Sequence, residues 1–203
     1  AVGQGPSEVA DVANAFNAMT DGLQASTRAL EAEVAERKQI EAQVREVAFH
    51  DPLTGLPNRT ALLSPAADAK AAPNCLALMD LARLKAINET LGYATGDTLI
   101  QQTAARVNLV LQQAAADGLI GPRPLVARLS GGSFAATFYA ASRAAVETLR
   151  ERIEPVISQP VHCSGHSVDM SLTYGLADSG DAENAVHAAL PVETLLRNAD
   201  AAM

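Results

Sequence analysis

Apolar residues recur every three or four positions through the first 48 residues of the chain. In a heptad frame, nine of the twelve a and d positions are apolar: Val9, Val12, Phe16, Met19, Leu23, Leu30, Ile40, Val44 and Val47. A seam that stays in one frame for nearly six heptads predicts a parallel coiled coil between two copies of the chain. A single amphipathic helix packed on its own domain is the alternative. Three seam positions are polar, Ser26, Glu33 and Arg37, and they predict that the middle of the coiled coil is weak.

The pattern changes at Phe49. Two prolines and a glycine within residues 51–59 predict the end of the long helix. Short apolar or alternating runs beyond it predict strands, and longer periodic runs predict helices. The predicted elements are a strand at 75–79, a helix at 97–116, a hairpin of 125–129 with 134–139, a helix at 142–157, a strand at 168–177 and a helix from 191. This order predicts an α/β (α+β) domain with a mostly antiparallel sheet flanked by helices.

Composition narrows the function classes. Hydrophobic residues make up 48% of the 203 residues, which is enough for a packed core. The net charge of −8 argues against a nucleic-acid partner, since such a surface needs a basic stripe. Two cysteines suit a reducing compartment, and no apolar run is long enough to cross a membrane. The chain has no initiator Met and stops inside a helical pattern, so we expect it to be part of a longer protein.

Four segments together resemble the GGDEF domain of diguanylate cyclases, over residues 49–203. They are D-P-L-T-G-L-P-N-R at 51–59, the stretch D-L-A-R-L-K-A-I-N-E with its continuation at 80–97, A-R-L-S-G-G-S-F at 127–134, and L-L-R-N-A-D-A-A-M at 195–203. Residues 7–26 also resemble the second helix of a HAMP domain. The expected domains are a partial HAMP helix at 1–26, a coiled-coil signalling helix at 27–48 and a degenerate GGDEF domain at 49–203.

The resemblance implies a reaction that joins two GTP molecules into cyclic di-GMP with Mg²⁺ held by carboxylates. Asp80 matches the first of these carboxylates, and the carbonyl of Leu81 matches its neighbouring ligand. Ala82 stands where the family's stretch has a second acid.

The signature hairpin departs from the family pattern. Its five residues align with G-G-D/E-E-F as Ser130, Gly131, Gly132, Ser133 and Phe134. Gly132 and Ser133 therefore replace both acids, and neither supplies a carboxylate for a metal or a proton. We expect no catalytic residue here, and a domain that is not an active cyclase.

The expected nucleotide pocket is less altered. Asn88 and Asp97 match the family's guanine-reading pair, and Lys85 matches its phosphate-side lysine. The alternative is that all three are ordinary surface residues. We expect no cofactor, with Mg²⁺ only if GTP binding persists. The product-inhibition motif R-x-x-D is absent, because G-P-R-P at 121–124 stands in its place.

A short cluster at 162–166 contains His162, Cys163 and His166. Zinc normally takes four protein ligands in a structural site, and no second Cys–His cluster exists in the sequence. We expect a solvated hairpin turn there and not a metal site.

The resemblance as a whole implies a regulatory module in cyclic di-GMP signalling. The expected protein resembles LapD-type cyclic di-GMP receptors, with a HAMP domain after a transmembrane segment upstream and an EAL domain downstream. The fragment would be the cytoplasmic portion of an inner-membrane protein and a homodimer through its first helix. One alternative is a GTP-binding module that activates a phosphodiesterase. The other is a weak cyclase that uses a relocated acid, Glu89.

Overall fold

The computed structural model describes residues 5–64, 73–163, 165–178 and 191–203, with only the backbone for several positions of the first helix. The chain divides into two compact units, Ala1–Glu46 and Val47–Met203. We describe each unit by itself.

The first helix, α1, runs from Gly5 to Phe49. Its apolar seam is exposed wherever the structure describes the side chains, from 52% for Ile40 to 81% for Val47. Phe16, Met19, Leu23, Leu30 and Val44 lie between these values. The side chains of Val9 and Val12 lie outside the described residues. Among the described helices, none is both long enough and apolar enough to cross a lipid bilayer.

Among the described residues, the second unit contains a four-stranded sheet, a two-stranded ribbon and five further helices. The strands are β1 (Cys75–Leu81), β2 (Leu125–Ser130), β3 (Ser133–Phe138), β4 (Val161–Cys163), β5 (His166–Val168) and β6 (Leu172–Asp178). The helices are α2 (Arg59–Leu63), α3 (Leu84–Leu91), α4 (Tyr93–Ala116), α5 (Arg143–Ile157) and α6 (Val192–Ala201). Four strands form an antiparallel sheet in the order β2-β3-β1-β6, and β4 pairs with β5 in a separate ribbon. The predicted antiparallel α/β fold is confirmed.

Helices cover both faces of the sheet. On one face, alternate residues of β1 such as Met79 pack in a core cluster with α4 and α5. On the other face, Leu76 and Leu78 pack in a second cluster with α2 and α6. Because β1 is buried on both faces, its sequence is continuously apolar up to Asp80. Asp80 is therefore the first polar side chain of the central strand and lies beside the β2–β3 hairpin.

The strand predicted over residues 168–177 is wrong as one element. β5 ends at Val168, and β6 begins at Leu172. Between them Met170 is buried in the larger core cluster, and the carbonyl of Ser171 accepts a hydrogen bond from the backbone N–H of Ala82. The Ser171 bond continues the register of β1 with β6 by one residue, so the break covers Asp169 and Met170, where the side chain of Met170 turns into the core. The alternating pattern continues across the break, so the sequence does not show it.

Candidate functional site

Asp80 and Ser133 face each other at the end of the central strands. They are directly paired in the register of β1 and β3, so their side chains lie on the same face of the sheet. The hydroxyl Oγ of Ser133 donates a hydrogen bond of 2.6 Å to Oδ1 of Asp80. The position of a signature acid is thus taken by a neutral donor that uses one of the oxygens of Asp80.

Gly132 is buried at the tip of the hairpin. Its carbonyl accepts a hydrogen bond of 3.0 Å from the backbone N–H of Leu81. A Cβ atom at this position would lie 2.9 Å from Cδ2 of Leu84 and 3.0 Å from Cβ of Leu81. The turn itself depends on Gly131, whose φ of 53° is in the left-handed region that glycine adopts readily. Leucine side chains therefore surround the position where the family pattern has an acid.

The residues around Asp80 and the hairpin do not provide the oxygen ligands that a protein-bound Mg²⁺ needs. Mg²⁺ requires near-octahedral oxygen coordination and is normally anchored by carboxylates. Asp80 is the single carboxylate among the aligned positions, since Ala82, Gly132 and Ser133 have none. Within the described residues, no group of three or more His, Cys, Asp or Glu side chains is arranged to hold a metal ion.

The cluster at residues 162–166 forms the hairpin between β4 and β5, as a hairpin turn was expected there. Cys163 pairs with His166 across the ribbon, and His162 pairs with Ser167. Ser164 lies outside the described residues.

A hydrogen-bond network connects the hairpin to the turn after α1. Nη1 of Arg128 lies 2.9 Å from both carboxylate oxygens of Asp51, and Nε and Nη2 of Arg128 both donate to the carbonyl of Gly131. The backbone N–H and the hydroxyl of Thr54 also donate to Asp51. Burial raises the pKa of Asp51, but the hydrogen bonds from Thr54 and Arg128 outweigh it and hold the pKa below its usual value.

The same turn is fixed by Asn58. Its side-chain Nδ2 donates to the carbonyl of Ala48 at 2.9 Å, and its backbone N–H donates to the carbonyl of Phe49 at 2.8 Å. Its Oδ1 accepts from the N–H of Ala61 and thereby caps α2. Sequence reasoning used residues 51–59 as a helix end and as a family motif, and it missed these contacts of Asn58.

The predicted nucleotide residues lie on α3 and α4. Asn88 packs against Gly96, where an added Cβ would overlap its Oδ1. This Oδ1 is buried and has no hydrogen-bond partner within the described residues. Asp97 follows Gly96 directly on α4 and is exposed. Lys85 is exposed on the first turn of α3.

The family model and the most similar curated proteins agree with one another. The family model described as "Diguanylate cyclase, GGDEF domain" matches residues 48–203. The diguanylate cyclase TpbB of Pseudomonas aeruginosa is 33% identical over 98% of this chain and 42% of its own length. MucR of the same species, a bifunctional diguanylate cyclase and cyclic di-GMP phosphodiesterase, is 31% identical over 89% of this chain. The chain spans 25% of MucR and 26% of several mycobacterial relatives.

A solved structure also matches most of the chain. The coiled coil and GGDEF domain of DgcB from Caulobacter crescentus, in complex with c-di-GMP, superposes with a TM-score of 0.69. The two chains are 26% identical, and the match covers 88% of this chain and 91% of the solved chain.

Proposed function

The chain belongs to the GGDEF family of diguanylate cyclase domains, and on that premise we propose that it is a regulatory member that does not synthesise cyclic di-GMP. Its relatives TpbB and MucR are named as cyclases. The difference that we infer between this chain and an active cyclase is confined to the hairpin, and the fold is the same.

The contact between Ser133 and Asp80 carries this proposal. In a cyclase, paired carboxylates hold the metal that stabilises the charge developing on the reacting phosphate. Here the partner of Asp80 is the hydroxyl of Ser133, which donates a hydrogen bond to Oδ1 of Asp80 at 2.6 Å. The metal would lose a ligand, and Asp80 would have to break its hydrogen bond to bind it. Loss of a positioned acid–base group alone typically lowers a rate by ~10²–10⁴.

The role that remains is to transmit a conformational signal. We propose that residues 1–26 are the end of a HAMP helix, that 27–48 are a coiled-coil signalling helix, and that the parent protein continues into an EAL domain. The exposed apolar stripe of α1 supports a homodimer. The bifunctional name of MucR, of which this chain spans a quarter, supports further domains in the parent. A membrane-anchored parent with this fragment on its cytoplasmic side is part of the same proposal.

A nucleotide-turnover assay tests the inactivity. The chain is incubated with GTP and either Mg²⁺ or Mn²⁺, the products are separated by chromatography, and the P. aeruginosa TpbB GGDEF domain is the positive control. We expect no cyclic di-GMP above the enzyme-free background. Turnover within about tenfold of TpbB would contradict the proposal. If a trace activity appears, its loss in Glu89→Gln would identify the weak-cyclase alternative.

A second candidate, a GTP-binding regulatory module, rests on Asn88. The Oδ1 of Asn88 is buried without a hydrogen-bond partner among the described residues, which is costly, and an N–H donor of a base bound at this place could satisfy it. Calorimetry with GTP tests this, with Asn88→Ala and Asp97→Ala as variants and Asn108→Ala on α4 as the control. Saturable binding that both variants abolish, and the control retains, would favour this candidate over a pure scaffold.

A further inference from the structure

A cavity of about 170 Å³ lies between α5 and the sheet, on the face opposite to α2 and α6. Met79, Phe138, Leu149 and Ile153 line it, and each of these side chains is at most 5% exposed. An engineered apolar cavity of ~150 Å³ in another protein stays dry and binds benzene. The cavity under α5 therefore has the size and the lining of a site for one small apolar ring.

The cavity exists because small side chains meet in the middle of the sheet. Ala77 of β1 lines it and is paired with Ala136 of β3. Two residues further along the same face, Met79 is paired with Phe134, and both of these side chains are fully buried. The row with the two alanines is shallower than the row with Met79, so space is left between the sheet and α5.

The mouth of the cavity has an accessible polar group. Tyr174 and Leu176 line this side on β6, the last strand of the described sheet, and Leu176 is 39% exposed. Across the described part of the chain, the hydroxyl of Tyr174 makes no hydrogen bond. Burial and the nearby charge of Glu154 raise the pKa of Tyr174, so the hydroxyl keeps its proton at neutral pH and can both donate and accept. This hydroxyl is available to a ligand that enters from the edge of the sheet.

Charged side chains around the mouth select against anions. Nε of Arg150 forms an ion pair of 3.1 Å with Oε2 of Glu147, and both residues line the cavity. Glu154 is near enough to act on the pKa of Tyr174, so two glutamates stand against one arginine. A phosphate or carboxylate group would therefore meet a net negative charge. The cavity suits a neutral ligand and not a nucleotide.

We propose that this cavity binds a small neutral aromatic molecule of one ring, with the ring against Met79, Leu149 and Ile153 and a polar substituent hydrogen-bonded to Tyr174. The residues that line the cavity belong neither to the hairpin nor to α3, so the site is separate from both. The proposal does not rest on the inactivity of the hairpin. A ligand that binds only the folded chain raises its melting temperature.

Titration of the 203-residue chain with phenol, followed by amide chemical shifts and by thermal melting, tests the site. We expect saturable binding at millimolar phenol or below, with the largest shifts at Leu149, Ile153 and Tyr174. Ala77→Leu fills the cavity and should weaken phenol binding at least ~10-fold. Ala105→Leu adds the same side chain at an exposed position of α4 and is the matched control, which should bind phenol as the natural sequence does.

Two further arms test the polar contact and the charge of the ligand. Tyr174→Phe should weaken phenol binding about 3–10-fold and leave benzene binding unchanged, because benzene has no hydrogen-bonding group. Benzoate should bind at least ~10-fold more weakly than phenol, because of the glutamates at the mouth. Absence of saturable binding for both phenol and benzene up to ~10 mM would overturn the proposal, as would phenol binding that a folded Ala77→Leu variant retains. Equal affinities for phenol and benzoate would contradict the neutral class of ligand.

Discussion

Arg128 binds both carboxylate oxygens of Asp51 through a single nitrogen, at 2.9 Å each, while its other nitrogens hold the carbonyl of Gly131. The side chains of this pair are only 13% and 17% exposed. One arginine thus joins the turn that follows α1 to the tip of the hairpin. The hairpin has these hydrogen bonds from Arg128 although Gly132 and Ser133 carry no acid.

Removing this arginine should destabilise the domain strongly. Arg128→Ala would leave the carboxylate of Asp51 largely buried without its cation and would free the hairpin turn. We expect a loss of about 3 kcal/mol in the free energy of unfolding, as for other broken buried ion pairs. Urea denaturation followed by circular dichroism measures it. Arg152→Ala, which breaks the exposed pair with Asp117, is the control and should cost less than about 1 kcal/mol. Equal effects of the two substitutions would contradict the role given to Arg128.

The same pair predicts a pH dependence. The pKa of Asp51 is lower in the folded chain than in the unfolded chain, so the folded state favours its ionised form. Its contribution to stability is therefore present above the unfolded pKa of about 3.9 and is lost as the pH falls through the lower folded value. Melting temperatures between pH 6 and pH 2.5 should fall more steeply for the natural sequence than for Asp51→Asn. Parallel curves would show that Asp51 is not the group responsible.

Restoring the first signature acid should disturb the hairpin. In Gly132→Glu, the new Cβ would be forced against Leu84 and Leu81, at the distances given above. We expect a destabilisation of about 1–3 kcal/mol, typical of overpacking in a core. Ser130→Glu adds the same side chain two residues away at an exposed position and should change stability by less than about 0.5 kcal/mol. A Gly132→Glu variant as stable as Ser130→Glu would mean that Leu84 moves aside at little cost.

The exposed stripe on α1 should produce a dimer. Burying each large apolar side chain is worth roughly 1.5–3 kcal/mol, although ordering and lost freedom oppose association. The 203-residue chain should therefore self-associate in sedimentation equilibrium. A chain that begins at Val47 should be monomeric at micromolar concentration. This start keeps Ala48 and Phe49, whose carbonyls Asn58 binds.

Substitutions along α1 locate the dimer interface. Leu23→Lys and Val44→Lys place a charge in the seam and should weaken the dimer at least ~10-fold. Gln39→Lys puts the same residue off the seam and should leave the association unchanged. A monomer for the unsubstituted chain at ~100 μM would reject the coiled coil.

The fold could be predicted from the sequence because the patterns that indicate its strands and turns are local. The apolar run before Asp80 and the Gly131–Gly132 pair determine a central strand and a tight hairpin without reference to distant residues. The break at Met170 could not be predicted, because it depends on the burial of this side chain in a core cluster whose other members come from distant parts of the chain. The ion pair of Asp51 with Arg128 was missed for the same reason, since 77 positions separate the two residues.

The candidate site was only partly predictable. The sequence alone gives Gly132 and Ser133 at the positions that align with the signature acids. It could not show that Ser133 turns its hydroxyl to Asp80, or that leucines pack around Gly132. A cavity that is lined by Arg59 of α2 and by Arg197 and Asp200 of α6 was not predicted, because these residues come from opposite ends of the domain.

The attachment of Asn58 to α1 has a consequence for how such proteins are assembled. Asn58 donates hydrogen bonds to the main-chain carbonyl oxygens of Ala48 and Phe49, and neither bond involves a side chain of the helix. Any helix that ends at this point offers the same two oxygens, whatever its amino acids. These two hydrogen bonds therefore require a particular side chain in the domain, Asn58, but no particular side chain in the helix. Helical segments from unrelated sensors could be exchanged here by recombination without redesigning the domain that receives them.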